Sequence, residues 1–155
     1  MPRNTAICPQ EKVPRPNSPY GVIEDAEFLA RIVRREAIGD DSQLTKKSLT
    51  VQEFIKDDGW SFVRVRFVTD MRDILNAHAA RTKKKSYDYG YALVKASDIR
   101  GILHDNKQSV CVIDDPLPFP EHALGQQSQP FTKGEAGKIR KKLLKKFQKV
   151  LYPWP

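Results

Sequence analysis

Proline removes a backbone donor and fixes φ, so its placement limits where regular hydrogen-bonded structure can run. This chain of 155 residues contains 11 prolines. Five lie near the start (Pro2, Pro9, Pro14, Pro16 and Pro19), four lie late (Pro116, Pro118, Pro120 and Pro130), and Pro153 and Pro155 close the chain. None falls between Tyr20 and Asp115. A folded body is therefore expected in that interval. Residues 1–20 read as an extended Pro-rich arm and residues 21–151 as one α+β domain, a size that supports a real core.

Within the body, apolar spacing and capping residues suggest the elements. In 24–36 (EDAEFLARIVRRE), Ala26, Leu29, Ile32 and Val33 recur at helical spacing. Acids at its start and arginines at its end suit a helix dipole. Thr50 and Glu53 form a capping-box pattern for a short helix. WSFVRVRFV, residues 60–68, alternates as a strand, with Ser61, Val63, Val65 and Phe67 on one face and Phe62, Arg64 and Arg66 on the other. The first face is assigned to the core and the second to function. A helix over 69–82 is followed by Lys83, Lys84 and Lys85, then by a strand over 86–94 in which Tyr87, Tyr89, Tyr91 and Leu93 alternate. Ser97 and Asp98 open a short helix. The apolar run 109–113 (SVCVI) reads as a central strand buried on both faces, with Cys111 an inert core thiol. The expectation is about three strands (60–68, 86–94, 109–113) covered by helices at 24–36, 69–82 and 133–150, with strand order open.

Charge is concentrated in the last predicted helix. Residues 133–150 carry eight cations against the single acid Glu135, a net +7 of the whole chain's formal +8. Thr132 and Glu135 make a second capping box, and Ile139, Leu143, Leu144, Phe147, Val150 and Leu151 form an apolar stripe. Like-charge i,i+4 pairs cost about 0.2–0.5 kcal/mol each, whereas each buried Leu, Ile or Phe contributes about 1.5–3 kcal/mol. Packing wins, so the helix is expected to dock with its lysines outward. Lys138, Lys141, Lys142, Lys145, Lys146 and Lys149, extended by Arg64, Arg66 and Lys83 to Lys85, are the candidate contacts to nucleic-acid phosphates. The tyrosine stripe admits base stacking or simple ring burial.

The one place where enzyme chemistry suggests itself is DDPLPFPEHA, where Asp114, Asp115, Glu121 and His122 are candidate catalytic or metal-binding groups. Local turn formation accounts for Asp and Pro there without a catalytic role. No catalytic motif, metal-ligand spacing or nucleotide fingerprint occurs elsewhere, and His78 and His104 stand alone. No metal or cofactor is expected. Two cysteines, Cys8 and Cys111, do not make a disulfide framework. With no signal-peptide pattern and no apolar run of membrane-spanning length, a reducing cytoplasm and no membrane role are expected.

EFLARIV, WSFVRVRF and PLPFPEHA together resemble a loose group of small bacterial proteins with no assigned activity. The resemblance covers most of residues 24–125 and implies a bacterial origin, with no functional residue carried over. The sequence thus points to a non-enzymatic binding subunit of a larger complex. Its partner would be DNA or RNA, or an acidic protein. The second reading is a protein-interaction subunit of a larger bacterial complex that makes its contacts through the Pro-rich arm and the 114–131 loop, and a metal-dependent enzyme centred on 114–122 is the third.

Overall fold

The computed structural model describes residues 7–155; the start of the Pro-rich arm, including Pro2, lies outside the described residues. In chain order the elements are β1 (Phe28–Arg34), α1 (Val51–Ile55), β2 (Trp60–Arg64), α2 (Met71–Thr82), β3 (Tyr89–Lys95), α3 (Ala96–Arg100), β4 (Leu103–His104), β5 (Lys107–Gln108), β6 (Val110–Asp114), β7 (His122–Gln127) and α4 (Lys133–Leu144). Five strands form an antiparallel sheet ordered β3-β1-β2-β7-β6, and β4 and β5 make a separate hairpin. The class is α+β. The expected three strands become five plus the hairpin. No helix among the described residues is long and apolar enough to cross a membrane.

The largest departure is at 24–36, where β1 replaces the expected helix. Its burial alternates imperfectly, with Leu29, Ala30 and Val33 buried and Arg31 and Ile32 half-buried. Both sides of this strand are covered, so apolar pairs at 29–30 and 32–33 serve two faces. The same spacing imitates one helical stripe when tertiary contacts are unknown. β1 pairs with β3 over seven positions, from Phe28↔Lys95 to Arg34↔Tyr89. β7 was not expected, because HALGQQ carries little strand propensity. Its place between β2 and β6 is set by pairing on both sides.

One face of the sheet meets α4. Leu29, Val33, Trp60, Phe62, Ala92, Val94, Val112 and Ala123 pack with Ala136, Ile139, Leu143 and Phe147 of the C-terminal segment. Phe54 of α1 stacks on Trp60 with centroids 4.1 Å apart, anchored by the Thr50–Glu53 capping box. The other face meets α2, where Ala30, Val63 and Met71 form a smaller core with Ile32, Tyr91 and Phe119 around them. Strand 60–68 is therefore sorted differently from expectation. Phe62 and Arg64 are interior, Ser61 is exposed, and residues Val65–Phe67 leave the strand as a 3-10 turn.

Both sheet edges are covered. Along β3, Tyr91 and Leu151 exchange backbone hydrogen bonds, and the Gln148 N–H donates to Leu93. This explains why α4 ends at Leu144 instead of reaching 150: the chain must turn so that Phe147 enters the core and the last residues lie along β3. Strand β6 is the opposite edge, not a central strand. Its burial comes from the N-terminal arm, whose Glu11 Oε2 accepts the Val112 N–H at 2.7 Å and an Arg100 Nε–H at 2.9 Å. A Cys8–Cys111 disulfide joins the arm to β6. Cys111 is thus a paired residue, and the expectation of an inert free thiol is corrected. Spacing gave no hint because the two residues are 103 apart and meet only through the sheet edge.

Candidate anion-binding face and cleft

The capping box at Thr132 and Glu135 starts α4, and the buried Ala136, Ile139 and Leu143 turn its opposite side to solvent. Lys138, Lys141, Lys142, Lys145, Lys146 and Lys149 are all exposed. None of them has a carboxylate oxygen within 4.0 Å among the described residues, since every ion pair there uses Arg or His. Lys142 alone is engaged, its Nζ donating to the Leu103 carbonyl at 2.8 Å. Lys145, Lys146 and Lys149 follow the end of the helix at Leu144.

The other basic residues stand on elements other than α4. Arg64 is fully buried: it donates to both carboxylate oxygens of Glu27 (3.0 and 2.8 Å), to Asp114 Oδ1 (2.8 Å) and to the Gly21 and Val22 carbonyls (2.6 and 3.1 Å). With every donor direction occupied, it is a structural ion and not a phosphate contact. Alternation along 60–68 placed it outside because the crossing segment 21–27 that covers it is invisible to strand periodicity. Arg66 is exposed, within 3.3 Å of Glu24. Lys83 occupies a left-handed position (φ 57°) that ends α2, Lys84 lines a cleft, and Lys85 lies 5.6 Å from the Tyr87 ring. Of the tyrosines, Tyr89 is buried, with its hydroxyl 2.8 Å from Thr82.

The 114–122 set divides in two. Asp114 joins the Arg64 cluster, and Glu121 contributes its backbone carbonyl to the Arg64 N–H at 2.7 Å. Asp115 and His122 are brought together: His122 Nδ1 lies 3.0 Å from the Asp115 carbonyl and 3.1 Å from Oδ2. These four residues do not converge on one point. The only three ligand-type side chains close enough to share an ion among the described residues are His104, Asp105 and Glu135. There His104 Nε2 already bonds Glu135 directly at 3.0 Å, and Glu135 also closes the α4 capping box.

His122 opens onto a cleft of about 690 Å³ on the sheet face opposite α4. Its floor is Ile32, Ser61, Val63 and Leu124; one wall is α2, with His78, Arg81 and Thr82; the other is Phe119 and His122. The cleft exists because β1 and β2 pair at only two positions, Leu29↔Arg64 and Ala30↔Val63. Beyond them the Arg31 guanidinium takes the strand's place, donating to the Ser61 carbonyl (3.0 Å) and the Ser48 carbonyl (2.7 and 2.9 Å) and pairing with Glu53 at 3.1 Å. Ser61 is exposed there although β2 is the middle strand.

Burial pushes the His122 imidazole below its ordinary pKa; the Asp115 hydrogen bonds and charge oppose this, and the Arg81 charge adds to it. The ring is neutral at neutral pH, so its contact with Asp115 is a hydrogen bond from Nδ1–H, leaving Nε2 as a bare acceptor. His78 is lowered by burial and then by Arg81 and Arg31. Arg81 has no carboxylate partner within 4.0 Å among the described residues and stands 5.4 Å from the Phe119 ring. His78, Arg81 and Ser61 carry no sequence signal of a site; only the fold gathers them. Comparisons with known protein families, with characterised proteins and with solved structures find no match to this chain.

Proposed function

We propose that this protein is an accessory subunit that grips a polyanion, nucleic-acid backbone foremost, through the lysine face of residues 138–149. The observation that carries the reading is that six lysines of one segment are exposed and lack carboxylate partners among the described residues, while the other side of the segment is locked into the core. Phosphate contacts of this kind position a protein without reading sequence. Each phosphate neutralised on duplex DNA contributes about −0.9 to the slope of log K against log salt. Full engagement of the six lysines therefore corresponds to a slope near −5. Replacing Lys138, Lys141, Lys145 and Lys149 by alanine is expected to reduce the slope's magnitude by about three to four. Binding to DNA and RNA duplexes by fluorescence anisotropy across a salt series measures this, and an unchanged slope refutes the proposal.

A second reading is docking onto a protein within a larger complex. It draws on Leu117, 86% exposed between Pro116 and Pro118, and Val13, 65% exposed in the arm. Loss of a stoichiometric, nuclease-resistant partner on Leu117→Asp would support it over the first. The Cys8–Cys111 bond weighs against the reducing cytoplasm read from the sequence, where thiols are usually kept reduced.

A further inference from the structure

We infer that the cleft over β2 is a binding site for a small organic phosphate of nucleotide size, held by Arg81 and Lys84 with His122 Nε2 accepting a hydrogen bond from the ligand. Four observations lead there, none shared with the lysine face. First, the cleft's volume of about 690 Å³ falls in the range of small-molecule sites, about 300–1,000 Å³. Second, Ile32, Val63 and Leu124 of the floor and Phe119 of the far wall offer apolar surface that suits a planar ring, while polar groups come from α2, Ser61 and His122. Third, His122 is held by Asp115 through Nδ1 (3.0 and 3.1 Å), which fixes the ring and leaves Nε2 without a protein partner among the described residues. Fourth, neither Arg81 nor Lys84 has a carboxylate within 4.0 Å among the described residues, although both line the cleft.

Charge around the cleft decides the orientation. Arg31 is occupied by Glu53, and Arg34 by Glu36 at 3.0 Å, so neither offers a free cation. Asp57, Asp58 and Asp115 are acids on the cleft lining; Asp57 and Asp58 repel an anion beside the start of β2, whereas Asp115 Oδ2 accepts the His122 Nδ1–H at 3.1 Å. Arg81 sits toward Phe119, and Phe119 packs edge-on at 5.2 Å against His122. The phosphate therefore belongs at the Arg81 side, where a guanidinium can bind it in bidentate fashion. The ligand's hydroxyl or amino donors reach His122 Nε2, and the exposed Ser61 also lines the cleft.

Isothermal titration of the full chain with ribonucleoside 5′-monophosphates, the matching nucleosides and inorganic phosphate tests this. At least one monophosphate should bind with a Kd below about 1 mM, and its nucleoside at least about tenfold more weakly, the equivalent of one charge-assisted contact. Arg81→Gln and His122→Asn should each weaken binding about tenfold or more; Asn keeps a donor for Asp115 and removes the Nε2 acceptor. The quadruple lysine-to-alanine variant of the 138–149 segment should bind the monophosphate unchanged, which separates this site from the lysine face. The chain has three histidines, so imidazole NMR reports the site independently of the variants' folding. Ligand should shift the His78 and His122 ring signals and leave His104 in place. Failure of every monophosphate to bind, shifts confined to His104, or loss of binding in the lysine variant would each overturn the inference.

Discussion

Arg64→Met tests the packing logic most directly. The Arg64 side chain is 1% exposed and its partners Glu27 and Asp114 are 1% and 2% exposed, so two carboxylates depend on one guanidinium in a space closed to water. Removing the guanidinium deletes both ion pairs and strands the Gly21 and Val22 carbonyls. Glu27 keeps the Glu24 N–H at 2.8 Å. Asp114 keeps no partner among the described residues, since Oδ2 has none already. Breaking a buried pair from one side costs about 3–5 kcal/mol, a large share of the 5–15 kcal/mol that holds a domain together. At roughly 2–4 °C per kcal/mol for a chain of this size, Tm should fall by about 6–20 °C. Thermal unfolding followed by circular dichroism measures it. The triple variant Glu27→Gln, Arg64→Met, Asp114→Asn removes the uncompensated charge and should recover about half of the loss. A drop under about 2 °C for the single variant, or no recovery in the triple one, would refute the claim that a buried triad holds segment 21–27 to the sheet.

Acidification gives a second test. His78 and His122 both have folded pKa values below the ordinary 6.5, so the unfolded chain takes up protons first. Their stabilising effect should be complete above about pH 6.5 and lost as pH falls below it. Urea midpoints between pH 8 and 5 should decline, less steeply in His122→Asn; a rise on acidification contradicts the burial argument. Thiol titration should find no free cysteine before reduction and two after. Cys8→Ser should cost about 2–4 kcal/mol, because the bond closes a loop of 103 residues. Three glycines should respond differently to alanine. Gly59 has φ +124° and an added Cβ would sit 2.5 Å from the Gly125 carbonyl oxygen, costing at least about 2 kcal/mol. Gly125→Ala meets Phe62 at 2.9 Å and should cost about 1–3 kcal/mol. Gly137→Ala, in α4 with nothing within 4 Å, should stabilise by about 0.5–1 kcal/mol; denaturant titration ranks the three.

Local signals in the sequence were reliable where the physics is local. The capping boxes at Thr50–Glu53 and Thr132–Glu135 start α1 and α4 where expected, because each depends on residues three apart. Asp70 caps α2 by accepting the Arg72 N–H at 2.9 Å. The outward placement of the 138–149 lysines followed from comparing helix repulsion with burial energy. Residues 28–34 were misread because a strand covered on both faces and a helix with one stripe share the same apolar spacing. Leu29 and Ile32 suit either, and only pairing to β3 and β2 selects the strand.

What the sequence determined by itself is the α+β class, the starts of α1, α2 and α4, and a cationic segment anchored by an apolar stripe. Tertiary structure decided everything that depends on residues meeting from afar. It turned Arg64 from a surface charge into a buried ion, joined Cys8 to Cys111 and converted the apparent central strand 109–113 into a sheet edge protected by the arm. It also split the 114–122 carboxylates between a structural cluster and the Asp115–His122 pair, and set that pair across a cleft from Arg81. A titratable side chain's role depends on its local dielectric environment and its partners, and both are properties of the folded arrangement rather than of chain order.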